Sequence, residues 1–129
     1  MTQEEKELLI KDLSARLPHK VKASYYGTDE EMECTDIVEG VIIENNEAEI
    51  IIGQYGLPIE KIKPYLFPFS SMNLDQQIEY SKTLIVMGKL NEYCSWTTET
   101  IDWLLKNHFD FRDLISKGLA IDATGLNIY

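Results

Sequence analysis

Positively charged side chains are scarce in this sequence. It contains only two arginines, Arg16 and Arg112, and 12 basic residues against 22 acidic ones, for a formal net charge of −10 at pH 7. Proteins that bind a phosphate backbone use Lys and Arg to displace counterions. The composition therefore argues against direct binding to nucleic acid. We expect another protein as the partner, because an acidic surface attracts basic molecules.

Motifs for cofactors, metals and nucleophilic catalysis are also missing. The seven glycines form neither a GxGxxG fingerprint nor a phosphate-binding loop, and Ser70-Ser71 lacks the GxSxG elbow. The acidic run at residues 29–31 has neither the glycine nor the terminal glutamate of an EF-hand calcium loop. Cys34 and Cys94 form no CxxC pair, and they are expected to be buried thiols, with a disulfide between them as the alternative. We therefore predict no cofactor and no metal.

Long apolar runs are absent as well. The longest, at residues 50–52 and 84–87, fall far short of the ~20 residues that a membrane span requires. The first residues are acidic and polar, unlike the basic and then apolar start of a secretory signal. These features predict a cytoplasmic protein without membrane contact.

The sequence does contain enough apolar residues for a folded core. Its 129 residues are 44% hydrophobic and 10% aromatic, which is well above the composition of disordered chains. At this length about two-thirds of the surface of the unfolded chain can be buried on folding. We predict a single compact domain over residues 1–129, with no internal repeat or linker.

Helical patterns occur at both ends of the chain. Thr2 and Glu5 fit a capping box at the start of a first helix, which Pro18 ends. Asn73 and Gln76 have the same spacing at the start of a second helix, on which Leu74, Ile78 and Lys82 fall on one side and for which Gly88 offers a possible end. A third helix is predicted to begin at position 97 or 98.

Strand patterns fill the region between these helices. Residues 20–53 alternate apolar and polar side chains as four short strands, with a bulge or break at Gly40 and a tight turn at Asn45-Asn46. A fifth strand is expected within residues 59–67, at a sheet edge because of the prolines there. The sequence therefore predicts an α+β fold: an N-terminal helix, a curled antiparallel sheet of four to five strands, and C-terminal helices. An SH3-like barrel is an alternative if the fifth strand closes the sheet.

Two segments carry candidate functional residues. Tyr65, Phe67 and Phe69 form a dense aromatic group, which is either packed across the sheet or a surface that binds a peptide or ligand. His108, Asp110 and Asp113 are candidates for acid–base catalysis or for binding a divalent cation. Their alternative role is structural, at the end of one helix and the start of the next element.

Three stretches of the chain resemble a known family. They are residues 1–18 (MTQEEKELLIKDLSARLP), 62–72 (IKPYLFPFSSM) and 107–129 (NHFDFRDLISKGLAIDATGLNIY). Together they resemble short uncharacterised proteins from gut Bacteroides genomes, some of them encoded in prophage or mobile-element regions. Those proteins commonly read FDYRGLIEKG where this chain has FDFRDLISKG, so Phe111 and Asp113 replace Tyr and Gly. The resemblance implies no catalytic residue.

Three functional hypotheses follow. The first is a small acidic, non-enzymatic interaction or accessory protein of a mobile or accessory genetic element, with Tyr65, Phe67 and Phe69 as contacts. The second is a small metal-binding or acid–base enzyme that uses His108, Asp110 and Asp113. The third is an acidic nucleic-acid mimic that inhibits a basic protein, with carboxylates aligned on one face of the strand region.

Overall fold

A computed structural model describes residues 1–26, 32–87 and 93–129 of the chain. The helices of these residues are α1 (Gln3–Arg16), α2 (Leu74–Thr83) and α3 (Thr98–Lys106). The strands are β1 (Lys22–Tyr26), β2 (Glu33–Glu44), β3 (Glu47–Ile52), β4 (Tyr55–Pro58), β5 (Ile62–Leu66), β6 (Ile85–Met87), β7 (Tyr93–Ser95) and β8 (Ile121–Asp122). None of the helices in the described parts is both long enough and apolar enough to cross a membrane.

The predicted α+β fold class is confirmed. The main sheet differs in detail, because it has six strands in the order β4-β3-β2-β1-β5-β8 and does not close. The SH3-like barrel is therefore not adopted. The expected edge position of the strand within residues 59–67 is wrong, since β5 pairs with β1 on one side and with β8 on the other. The sheet is also mixed, since β8 pairs parallel with β5 while its other pairs are antiparallel. A strand of two residues is too short to show an alternating pattern, so the sequence gives no sign of β8.

Local signals place the first helix and the main hairpin as predicted. Thr2 Oγ1 accepts a hydrogen bond from the amide of Glu5, and the Glu5 carboxylate accepts one from the amide of Thr2, which completes a capping box. β2 and β3 are joined at Asn45 and Asn46, which both have positive φ, as the tight turn requires. The pairing of β2 with β3 shifts its register at Gly40, where a bulge or break was predicted.

α2 is shorter than the sequence pattern suggested. It ends at Thr83, because the apolar residues that follow form β6, which pairs with β7 in a separate two-stranded sheet. The predicted helix end at residue 88 lies outside the described residues, as do the turn expected at residues 27–29 and the acidic run at 29–31.

Two hydrophobic clusters hold the structure together. The larger one packs Leu9 and Leu13 of α1 against strand residues such as Val21 and Ile50. The smaller one is mainly aromatic and is centred on the buried ring of Phe109. It is joined to the main sheet through Phe67, whose amide donates to the carbonyl of His108 and whose carbonyl accepts from the amide of Asp110, both at 2.9 Å. This pairing brings the two segments that carry candidate residues side by side.

Candidate functional site

A fully buried ion pair connects α1 to the C-terminal segment. Arg16 Nε donates to Asp12 Oδ2 at 2.7 Å, and neither side chain is exposed to solvent. The other oxygen of Asp12 lies 3.4 Å from Nη1 of Arg112, and Nη2 of Arg16 donates to the carbonyl of Phe109 at 2.7 Å. Both guanidinium groups lie over the ring of Phe111, with Cζ 5.4 Å (Arg16) and 4.5 Å (Arg112) from its centre. The two arginines of the chain thus fix the position of this ring.

His108 lies beside this ion pair and stacks on Tyr129. The two ring centres are 3.7 Å apart and the ring planes differ by 11°. Nδ1 of His108 is buried and has no hydrogen-bond partner among the described residues. A histidine base needs a group that orients its ring and access to a substrate. Tyr129 covers one face of the imidazole, and no carboxylate of the described residues is bonded to it.

Tyr129 in turn is held by the main sheet. Its hydroxyl accepts from the amide of Lys22 and donates to the carbonyl of Tyr65, both at 2.8 Å. The Lys22 ammonium donates to the carbonyl of Ile128 at 2.8 Å. Burial raises the pKa of Tyr129 to about 12, so this hydroxyl keeps its proton. His108 is therefore packed against an anchored ring.

The environment of His108 predicts a pH-dependent stability. Burial lowers the pKa of its imidazole from 6.5 to about 4, and the positive charges of Arg16, His19 and Lys22 act in the same direction. Because the folded chain binds this proton less readily than the unfolded chain, stability is full above pH 6.5 and falls as the pH drops to 4. We expect a loss of about 1–2 kcal/mol from this group, after allowance for its partial exposure.

The measurement is urea unfolding between pH 4 and 7 for the parent, His108→Asn and His19→Gln. Asparagine is chosen at position 108 because φ is 62° there and Asn tolerates positive φ. The pH dependence should become clearly shallower in His108→Asn and change much less in His19→Gln, which removes one of the smaller contributions to the shift. Equal slopes in all three proteins would contradict the assigned shift.

Asp110 and Asp113 have different surroundings from His108. Both carboxylate oxygens of Asp110 accept backbone hydrogen bonds at 2.9 Å, from Leu114 and Ile115, so this side chain caps the following turn. The Asp113 side chain is exposed, and its backbone has a φ of 64°. In the described parts of the chain, no group of three or more His, Cys, Asp or Glu side chains is arranged to hold a metal ion.

The predicted aromatic contacts divide between the core and the surface. Tyr65 is buried, with its hydroxyl 3.4 Å from Oγ1 of Thr35. Phe67 is half-buried and packs on Phe109 and Tyr129, with ring centres 6.1 and 5.9 Å away. Only Phe69, which is 36% exposed, presents its ring to solvent.

Phe69 borders an open cleft of about 520 Å³, which we call the aromatic cleft. Its walls combine three rings, two carboxylates and an aliphatic side chain: Phe69, Trp96, Phe111, Asp110, Asp113 and Ile115. The cleft thus unites Phe69 with Asp110 and Asp113, candidates that the sequence placed in separate hypotheses. It does not include His108, Tyr65 or Phe67.

Trp96 is the central ring of the cleft. It is 41% exposed, and its centre lies 6.1 Å from that of Phe69 and 6.0 Å from that of Phe111. The planes of Trp96 and Phe111 meet at 78°, so these two rings form adjoining walls. The indole N–H donates to the hydroxyl of Tyr80 at 2.8 Å, which satisfies the one polar group of this side chain. A ligand can therefore contact the apolar surface of the Trp96 ring but not its N–H group.

Trp96 and the buried ion pair were not identified from the sequence. Trp96 stands in a short segment between two elements, and nothing in its neighbourhood indicates that it meets Phe69 and Phe111. Asp12 and Arg16 have the i, i+4 spacing of a helical ion pair, which could have been recognised. Their burial could not, because it depends on Phe109 and Arg112 from the other end of the chain.

Carboxylates also align at the β2–β3 hairpin. Glu44 pairs directly with Glu47, and Glu49 follows on the same face, where Ile42 is its partner. The acidic-mimic hypothesis requires carboxylates on one face of the strand region, and these three are so arranged. They border a second cleft, whose described walls contain no aromatic and no basic residue.

Comparison with protein-family models, with curated proteins and with solved structures found no match to this chain in any of the three.

Proposed function

We propose that this chain is a non-enzymatic interaction protein that binds a positively charged segment of another protein through the aromatic cleft. The observation that supports this is the combination, in one open cleft, of exposed aromatic rings and carboxylates. In keeping with the family resemblance, the role is that of an accessory protein.

The exposed rings supply a contact surface of the kind that partners use. Tryptophan is enriched among the residues that contribute most to binding at protein interfaces, and exposed apolar patches mark such interfaces. Trp96 and Phe69 remain exposed although Tyr80, Phe109 and Phe111 pack beside them. Binding would bury this aromatic surface.

The charge of the cleft selects the partner. Asp110 and Asp113 are the ionisable residues on its walls, and the whole chain has a net charge of −10. An acidic segment would be repelled at close range, whereas a basic one is attracted over distance and at contact. Aromatic faces also favour cations, because the ring carries negative potential on its faces.

Contacts within the chain hold the residues that line the cleft in position. Asp110 holds the turn that carries Asp113 and Ile115, and the two arginines hold Phe111. Phe69 begins a short 3₁₀ turn (Phe69–Ser71), in which the amide of Ser71 donates to the carbonyl of Pro68. A preformed surface loses less conformational entropy on binding than a flexible one.

The two tryptophans provide the test. We expect a short Lys-Ala repeat peptide to shift the NMR signal of the Trp96 indole N–H much more than that of Trp103, which lies outside the cleft. Binding should weaken as salt rises from ~50 to ~500 mM, because opposite charges meet at the surface. Trp96→Ala, which lacks the indole signal and is therefore titrated by calorimetry, should weaken binding about 5- to 10-fold. A Glu-Ala peptide should leave the indole signal of the parent unchanged.

Two charge variants distinguish binding at the aromatic cleft from binding at the β2–β3 hairpin. Asp113→Asn removes a charge from the cleft and keeps a residue that tolerates positive φ. The double variant Glu44→Gln/Glu47→Gln removes charge from the hairpin. Weaker binding in the first alone supports the proposal. Weaker binding in the second alone would favour the acidic mimic, and equal shifts with peptides of both charges would overturn the proposed selectivity.

A further inference from the structure

We infer that the group bound in the aromatic cleft is a methylated lysine side chain of the partner rather than unmodified lysine or arginine. This inference rests on the proposed function and specifies its ligand. It follows from the small number of hydrogen-bond acceptors in a cleft that otherwise suits a cation.

Side-chain acceptors are few among the described residues of the cleft. Each oxygen of Asp110 already accepts one backbone amide, from Leu114 and Ile115. The other side-chain acceptors on its walls are the Asp113 carboxylate and the neutral hydroxyl of Ser116, whose proton is directed to the carbonyl of Asp113. The Asp113 carboxylate is thus the charged acceptor of the described walls that makes no hydrogen bond within the chain.

Ordinary cationic side chains need more acceptors than this. The lysine ammonium has three N–H donors and the arginine guanidinium has five. A donor that leaves water without finding an acceptor makes binding less favourable. A trimethylammonium group has no N–H donor, so it can leave water and contact aromatic faces without that cost, and quaternary ammonium groups are recognised by aromatic rings in this way.

The ring geometry fits such a group. Trp96 has Phe69 at 6.1 Å on one side and Phe111 at 6.0 Å on another, the latter nearly perpendicular to it. A cation placed against both Trp96 and Phe69 on the open side of the cleft can lie within the ~6 Å of ring centres over which cation–π attraction acts. Because Arg112 and Arg16 already lie over Phe111, Trp96 and Phe69 offer the stronger attraction to a further cation.

The open shape of the cleft favours a side chain over a free small molecule. Its volume of about 520 Å³ lies within the ~300–1,000 Å³ typical of ligand sites, but it is a groove rather than an enclosed cavity. Pro68 and Ile115 line it beyond the rings and offer apolar contact to the four-carbon stem of lysine. The carboxylate of Asp113 balances the charge of the methylated group.

The experiment compares three peptides of one sequence that differ at a single position. The position carries lysine, trimethyllysine, or the carbon isostere in which a neutral tert-butyl group replaces trimethylammonium. We expect the trimethyllysine peptide to bind about 5- to 10-fold more tightly than either of the others, by isothermal titration calorimetry, which also applies to variants without the Trp96 indole. Trp96→Leu keeps apolar surface and should bring all three affinities close together, and near-ultraviolet circular dichroism checks that this variant is folded.

The outcomes distinguish the inference from the proposed function. Tighter binding of unmodified lysine overturns the inference and leaves the proposed function standing. Equal affinity for trimethyllysine and its neutral isostere overturns the inference, because the cleft would then act as an apolar groove. Free choline that binds as tightly as the trimethyllysine peptide overturns the lysine assignment in favour of a small ligand. If none of the cationic peptides binds, both proposals fail.

Discussion

Replacing Asp12 with alanine is expected to lower the free energy of unfolding by about 3–5 kcal/mol. The substitution leaves Arg16 charged and fully buried without its ion-pair partner, and it removes the carboxylate that lies 3.4 Å from Arg112. A buried charge without compensation is far less stable than the same charge in water. Urea unfolding at pH 7 measures the loss.

Two further variants test whether the unpaired buried charge causes the stability loss of Asp12→Ala. Asp12→Leu/Arg16→Met removes both buried charges and should recover most of the stability, because apolar side chains can replace a buried ion pair with little net effect. Part of the loss should persist, since the carbonyl of Phe109 no longer receives the Arg16 hydrogen bond. Asp102→Ala on the exposed side of α3 should change stability by less than about 0.5 kcal/mol. A loss in Asp12→Ala no larger than in Asp102→Ala would refute the buried ion pair.

Replacing Phe109 with alanine should also lower the free energy of unfolding by about 3–5 kcal/mol. Phe109 is buried, stacks on Trp103 with ring centres 5.4 Å apart, and meets the ring of Phe69 at 6.2 Å. Its removal leaves a cavity beneath the aromatic cleft that neighbouring rings can fill only in part. Thermal and urea unfolding measure the effect.

Phe69→Ala is the control for Phe109→Ala, because it removes a phenyl ring from the surface rather than from the core. Phe69 is partly exposed, so its truncation should reduce stability much less than that of Phe109 but should weaken binding of the basic peptide. Phe109→Leu, which preserves much of the volume, should lose about 1–2 kcal/mol. Similar stability losses in Phe69→Ala and Phe109→Ala would contradict the distinction between the exposed ring of the cleft and the buried ring that it contacts.

Features that depend on neighbouring residues could be read from the sequence. The capping boxes at Thr2 and Asn73 involve side chains and amides three residues apart, and both are present. The Asn45-Asn46 turn depends on two residues that tolerate positive φ. The fold class followed from these signals together with the change in apolar spacing.

Features that depend on distant residues could not be read in this way. Helix α2 is an example. Leu74 and Ile78 have the spacing of apolar residues that face a core, yet their side chains are 70% and 44% exposed. Periodicity identifies an apolar face but not whether another element covers it. In the same way, no local pattern indicates that Trp96 lies beside Phe69 and Phe111.

The candidate site was predicted only in part for the same reason. Phe69, Asp110 and Asp113 were each identified as chemically notable, but their meeting depends on the pairing of Phe67 with Phe109. The backbone of Asp113 has a positive φ, a conformation that glycine adopts freely and aspartate less often. Aspartate at this position adds a charge to the cleft.

The open sheet has a consequence for how copies of this chain behave in concentrated solution. A sheet that does not close has two margins whose free amides and carbonyls can recruit foreign strands into fibrils. Here one margin, β4, has four residues and ends in proline, and the other, β8, offers two. These two terminal strands therefore offer an incoming strand few free amides and carbonyls with which to pair.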